Sequence, residues 1–298
     1  MQGNRLILPG GRRLAYEAFG APEGVPVVYF HGFPGSRLEA AFACPAAKAL
    51  GARLIAADRP GIGMSDDCRG RTILSFADDV RALADHLGLG EFSVLGVSGG
   101  APYALACAFK LAGRVGSAAI VSGVGPPAAV GDASLASTSG IGLRLVAAAP
   151  WLSIPLVNVL GVLARHAAPV LLAMLAAKAS YRDRRTLRKR EFRALLSASM
   201  REAFRNGCRG AVTELKLLSM PWGFDLGALR VPVHIWHGGE DRVVPISMGR
   251  FLQQALPDCE AVYEQEHGHY SLVHDYAEQI LTQAIERPPR PGPLPPSC

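Results

Sequence analysis

Five short apolar runs punctuate the chain: Val27–Phe30, Leu54–Ala57, Phe92–Leu95, Ala118–Val121 and Val233–Trp236. Each is rich in Val, Ile or aromatic residues and is bounded by Gly, Pro or Asp. Near-continuous apolarity over so few residues predicts strands buried on both faces, as in a parallel sheet. Helical spacing fills the intervals. Phe76, Val80, Leu83, Ala84 and Leu87 form one stripe, with Asp78, Asp79 and Asp85 on other faces; Ala277, Ile280, Leu281, Ala284 and Ile285 form another. Strands alternating with helices imply right-handed βαβ units wound on both sides of one sheet. The segments Arg5–Leu8 and Arg12–Phe19 alternate polar and apolar residues with no helix between them, the pattern of an antiparallel hairpin at a sheet edge. The expected class is therefore α/β, a doubly wound, mostly parallel sheet with an antiparallel N-terminal hairpin.

The alternation breaks after residue 124. From 125 to 220 the chain is rich in Ala and Leu and helical in pattern, with Pro150, Pro155 and Pro169 as breakers and a stripe at Phe192, Leu195, Leu196, Met200, Ala203 and Phe204. This predicts a helical cap (125–220) inserted between two parts of a core (1–124 and 221–286). The proline-dominated tail, 287–298, is expected to be extended and disordered. Leu145 to Ala164 carries no charge, so a membrane span of about twenty residues must be weighed. Pro150, Ser153, Pro155 and Asn158 interrupt it, which favours lid helices over a span, with membrane-surface contact the weaker alternative. Trp151, Leu152 and Leu156, beside the proline bends, are the expected pocket side chains.

Hydrophobic residues make up 49% and charged residues 19%, which suits a packed core rather than a disordered chain. The net charge of +6 is compatible with anionic partners but says nothing of fold. Arg182, Arg184, Arg185, Arg188, Lys189 and Arg190, with Asp183 and Glu191 among them, read as the solvated start of a lid helix. The sharper alternative is a docking patch for an anionic group. The lack of interleaved aromatics argues against nucleic acid. The N-terminal segment has no signal-peptide pattern, so a cytoplasmic location is the default expectation. Six cysteines show neither CxxC nor zinc-ligand spacing and are expected to be reduced thiols. No motif suggests a metal or an organic cofactor.

Gly96-Val97-Ser98-Gly99-Gly100 matches G-x-S-x-G between a predicted strand and a predicted helix from Ala101 to Leu111. Such a strand-to-helix turn strains the serine backbone, needs small residues on both flanks, and lifts the hydroxyl to a helix N-terminus that favours developing negative charge. Further motifs are His31-Gly32-Phe33-Pro34-Gly35-Ser36, Asp58-Arg59-Pro60-Gly61-Ile62-Gly63-Met64-Ser65, His237 to Pro245, and His267-Gly268-His269-Tyr270. In this order, the chain resembles the α/β-hydrolase superfamily, in its esterase, lipase and peroxidase-like branch.

The resemblance implies that Ser98 is a nucleophile, Asp241 the acid and His269 the base. The glycine preceding His269 selects it over His267, taken as a loop residue, and His274, placed on the final helix. Glu240 would point elsewhere; Asp225 is the alternative acid. The resemblance also implies an oxyanion hole from the backbone N–H groups of Phe33 and Gly99, and a structural role for His31. Asp58 and Arg59 would tie down a shaped loop. Serine at the elbow sets the chain apart from relatives with an aspartate nucleophile. The implied activity is hydrolysis of a carboxylic ester of an apolar small molecule. Alternatives are thioester hydrolysis, carbon–carbon cleavage, acyl transfer or cyclisation on the same fold, or a low-turnover small-molecule sensor.

Overall fold

Along the central strands, successive side chains serve two different cores. Val28, Phe30, Ile55, Val94, Ile120 and Ile235 belong to one; Val27, Tyr29, Leu54, Leu95, Val121 and Trp236 belong to the other. This period-two division is why the runs are apolar throughout. The structure, a computed structural model, describes residues 3–129 and 138–286. The tail 287–298, expected to be disordered, lies outside them.

Eight strands form one sheet: β1 (Asn4–Ile7), β2 (Arg13–Gly20), β3 (Val25–Phe30), β4 (Ala52–Ala57), β5 (Phe92–Val97), β6 (Val115–Val121), β7 (Val233–Gly238) and β8 (Cys259–Glu264). Their order is β1-β2-β4-β3-β5-β6-β7-β8. β1 pairs with β2, and β2 with β4, antiparallel; every other pairing is parallel. Helices α2 (Phe76–His86), α3 (Ala101–Lys110) and α10 (Ile246–Ala255) cover one face. Helices α1 (Cys44–Ala49), α11 (His269–Asp275) and α12 (Ala277–Ile285) cover the other. The sequence pattern did not reveal β8. It is an edge strand with half-buried side chains and with Glu260 and Glu264 in its span, so it lacks a continuous apolar run.

After β6 the chain leaves the sheet and returns only at β7. Between them lie α4 (Thr138–Ala148), α5 (Ser153–His166), α6 (Ala168–Lys178), α7 (Tyr181–Arg188), α8 (Arg190–Ala203) and α9 (Arg209–Leu218). Among the described residues no single helix is long and apolar enough to cross a membrane. Pro150–His166 and Ala168–Lys178 together have the length and composition, but they are bent by 116°. Five cysteines (44, 68, 107, 208 and 259) are free thiols.

The inserted helices are joined to the sheet by buried charge. Glu214 of α9 pairs with Arg59 at 2.7 Å and with Arg71 at 2.9 Å, and accepts from the Tyr103 hydroxyl at 3.0 Å. Arg37 bridges Asp58 at 2.6 Å and Glu202 of α8 at 2.9 Å. Glycine packs on glycine nearby: a Cβ on Gly210 would lie 2.1 Å from the Gly61 carbonyl oxygen. A buried ion pair contributes little net stability while whole, yet losing one partner strands the other charge. Glu214→Leu is therefore expected to cost about 3–5 kcal/mol, read as a lower urea midpoint at unchanged slope. Asp78→Asn removes the part-exposed ion pair to Lys110 and is expected to cost less than about 1 kcal/mol. Equal costs would contradict this placement of the charges.

Candidate active site

Ser98 ends the run of β5 in a left-handed backbone conformation, φ 53°. A non-glycine residue pays a steric penalty there, and the surroundings must hold it. They do so by close packing. A Cβ on Gly100 would sit 2.0 Å from the Phe30 carbonyl oxygen, and one on Gly96 would sit 2.8 Å from that of Gly100. Glycine at 100 lets the turn close against the end of β3, and glycine at 96 lets the following helix start close over the strand. α3 then starts directly behind the serine.

The loop after β3 is shaped by Arg59 and Glu39. Arg59 donates to the carbonyl oxygens of His31 at 2.6 Å and Gly32 at 3.1 Å. The Gly32 carbonyl and the Phe33 N–H share one planar trans peptide, so drawing the oxygen toward Arg59 turns the N–H the opposite way. That N–H has no acceptor among the described residues. Phe33 N lies 3.3 Å from the point where a Gly99 Cβ would stand, so the two expected oxyanion residues are neighbours. Burial holds His31 neutral, well below the ordinary histidine pKa, and its Nδ1 lies 2.9 Å from the Gly32 oxygen. Glu39 Oε1 accepts from Gly32 N–H and from the Tyr29 hydroxyl, both at 2.8 Å. Burial raises the Glu39 pKa from its ordinary value, against the bonds from Gly32 and Tyr29.

Asp241 follows β7 and is buried. Its Oδ1 accepts the N–H groups of Val243 and Val244, both at 2.8 Å, which leaves Oδ2 for His269 Nδ1 at 2.8 Å. Burial alone would raise the Asp241 pKa, but the facing His269 outweighs it and the net shift is downward. For His269, burial disfavours the imidazolium, yet Asp241 outweighs it and the pKa lies above the ordinary 6.5. The carboxylate and imidazole are brought together by another close approach: a Cβ on Gly238 would lie 2.4 Å from the His267 carbonyl oxygen.

Ser98, Gly99, Phe33 and His269 line one cavity of about 570 Å³. No hydrogen bond joins Ser98 to His269 among the described residues. In sites without substrate this contact is often long and tightens on binding. The other walls are largely apolar and come from the inserted helices, with Leu156, Leu160, Leu163, Leu171, Leu196 and Leu218 among them.

A family model described as alpha/beta hydrolase fold matches residues 25–153. The chain is similar to the non-heme chloroperoxidase of Streptomyces lividans, 36% identical over 118 residues, which are 39% of this chain and 43% of that protein. Among solved structures it is similar to a bromoperoxidase from Bacillus anthracis, with TM-score 0.70 and 21% identity over 96% of this chain and 100% of that one. It is also similar to an esterase from Exiguobacterium antarcticum, with TM-score 0.68 and 18% identity over 95% and 99% of the two chains. The chain has the α/β-hydrolase fold.

In this α/β-hydrolase fold, several sequence expectations meet the structure unevenly. Glu240 is exposed and Asp225 is spent on the Gly227 N–H at 2.9 Å, so neither faces His269. His267 is buried edge-on against Tyr276, ring centroids 5.0 Å apart. His274 lies on α11, one helix earlier than expected. Of the three expected pocket side chains, Leu156 reaches the cavity; Trp151 and Leu152 do not. They occupy a short 3-10 turn, Pro150–Leu152, and Trp151 is 66% exposed. The Asp58 loop is tied down as expected: Asp58 accepts from the N–H groups of Arg37 at 2.8 Å and Met64 at 3.0 Å.

Two carboxylates, one half-buried and one fully buried, carry no signal in the sequence. Glu39 carried no motif signal. Asp183 was assigned to a solvated basic cluster, yet it is fully buried and reaches the first turn of α11. Its neighbours Arg185, Arg188, Lys189 and Arg190 are exposed, as the sequence implied.

The elevated His269 pKa has a testable consequence for Ser98. Only the neutral imidazole can accept a proton, so reactivity should fall as pH drops through that pKa. The rate of Ser98 modification by a small fluorophosphonate is expected to have its acid midpoint above 6.5. Asp241→Asn removes the charge that favours imidazolium, so the midpoint should move down and the plateau rate should fall. A wild-type midpoint below 6.5 would contradict the Asp241–His269 pairing.

Proposed function

We propose that the protein is a serine hydrolase that cleaves carboxylic esters of apolar small molecules through an acyl-enzyme. The observation that carries this reading is the shared cavity. One strained serine, one carboxylate-held imidazole and the residues Phe33 and Gly99 line a space walled mainly by aliphatic side chains. The reported relatives include an esterase, which agrees with this reading without naming a substrate.

The chemistry follows from the hydrogen bonds. Nδ1–H of His269 donates to Asp241, so the Nε2 lone pair remains for Ser98. Ser98 Oγ attacks the ester carbonyl carbon while Nε2 takes its proton. The carbonyl oxygen becomes an oxyanion and accepts from the N–H groups of Phe33 and Gly99, fixed in advance by Arg59 and by the elbow. Each such donor contributes about 3–4 kcal/mol to the transition state. The intermediate collapses, the C–O bond to the alcohol breaks, and the imidazolium protonates the departing oxygen. Water, deprotonated by the same Nε2, then releases the acid and frees Ser98. No step calls on a metal or cofactor. The inserted helices act as a lid whose aliphatic wall receives the acyl chain.

A fluorophosphonate probe is expected to label the wild type and not Ser98→Ala; equal labelling would remove the serine assignment. His269→Ala should cost orders of magnitude in turnover, and His267→Ala far less. Each buried methylene contributes about 0.8 kcal/mol, so kcat/KM should rise about fourfold per carbon from acetyl to medium-chain esters until the cavity is filled. Leu156→Asp should flatten that rise, because a carboxylate beside the acyl chain is costly to desolvate, while phosphonate labelling persists. A wild type that prefers acetyl esters would overturn the apolar-acyl assignment.

A further inference from the structure

Asp183 sits at the third position of α7, where an acidic residue commonly turns back to cap its own helix. Here Ser180 caps the helix from its own side, its Oγ accepting the Asp183 N–H at 3.2 Å. The Asp183 carboxylate instead leaves α7 for another element. Oδ2 accepts His269 N–H at 2.9 Å; Oδ1 accepts Tyr270 N–H at 2.9 Å, Ser271 N–H at 2.8 Å and Ser271 Oγ–H at 2.9 Å. The first turn of any helix leaves N–H groups without intrahelical acceptors, and a negative charge there is favoured by the helix dipole. Asp183 satisfies three consecutive N–H groups of α11, starting with that of His269 itself.

The fit is close. A Cβ on Gly268 would stand 2.3 Å from Asp183 Oδ2 and 2.6 Å from Ser180 Oγ, so a side chain at 268 would force α7 away. The glycine before the histidine therefore has a reason that lies in the lid.

We propose that Asp183, supplied by the lid, is a positioning residue that seats the His269 imidazole opposite Ser98. The proposal rests on His269 acting as base in the reaction above. It makes α7 a fixed strut under the base rather than part of a moving cover. The polar side chains of α5 contrast with it: among the described residues Ser153 and Arg165 bond within their own segment, to Pro150 and Gly161.

The charged groups facing His269 are Asp241 from the β7–α10 loop, Asp183 from α7 and Glu39 from the segment after β3, all favouring imidazolium. The buried His237 faces it across Asp241, 3.8 Å from that carboxylate. Removing any one of the three carboxylates should ease proton loss from His269.

The test compares wild type with Asp183→Asn, which keeps the size but loses the charge and part of the acceptor capacity. Three quantities are read: kcat and KM for a short p-nitrophenyl ester, the rate of fluorophosphonate labelling, and the His269 midpoint from its Cε1–H signal in an NMR titration. Expected are a fall in kcat of about 100-fold with KM changed little, a similar fall in labelling, and a lower midpoint. Asp183→Glu, which restores the charge on a longer stem, should return the midpoint toward wild type. A role confined to holding the fold would lower stability and leave the midpoint and the kcat of folded enzyme unchanged; that outcome overturns the proposal. If Asp183→Asn does not fold, Gly268→Ala and Ser271→Ala disturb the same seat with the charge retained, and unchanged kcat in both overturns it. A wild type that neither labels nor turns over would sink the serine reading instead, and the NMR midpoint would still decide whether Asp183 acts on His269.

Discussion

The turn at Ser98 sets the terms for the rest of the site. A left-handed serine cannot hold itself in place, so the polypeptide around it must be brought in to van der Waals limits. Gly96 and Gly100 permit this, and the carbonyl of Phe30 fills the space a side chain would take. Because Phe30 ends β3, the loop that begins at His31 must start beside the serine. Strain at one residue thus positions a second loop without any direct bond between them.

Charge then fixes what packing has brought close. Arg37 and Arg59 are each about 1% exposed, and Arg71 is buried beside them. Three guanidinium groups in the interior would be prohibitive without partners, and several of those partners come from the inserted helices. The arrangement is costly to desolvate and adds little net stability. Its return is directional: Arg59 holds the peptide that presents the Phe33 N–H, and it is itself held by Glu214 of α9. An aliphatic replacement of similar volume would pack as well but could not aim a peptide.

Much of this was legible in the chain because it is local. Apolar runs mark strands that face two cores, and the elbow, the Asp241 loop and the His269 loop each have their signature within a few residues. What escaped depends on partners far along the chain. Asp183 lies among arginines, and nothing nearby indicates that its carboxylate meets N–H groups 86 to 88 residues later. Glu39 is an unremarkable residue in a short helical stretch until Tyr29 and Gly32 are placed against it. β8 eluded the pattern for the opposite reason: at a sheet edge it needs little apolar surface, so its periodicity is faint. Trp151 was read from its apolarity alone, which does not distinguish a cavity wall from a solvent-facing turn.

The buried pairs of α8 and α9 also bear on how this fold can be altered. Arg37, Arg59 and Arg71 belong to the sheet domain, whereas Glu202 and Glu214 belong to the insertion. An exchange of the whole insertion for that of a relative would therefore leave cations orphaned unless the newcomer carried acids at matching places. An exchange limited to α5 and α6 would break none of these pairs. The natural splice points for diversifying the chamber fall just before Ser153 and just after Lys178, inside the insertion rather than at its two junctions with the sheet. Such an exchange would have to keep the close seat of Gly161 against Phe204 and Cys208, while α8 and α9 stay with the core as one electrostatic unit.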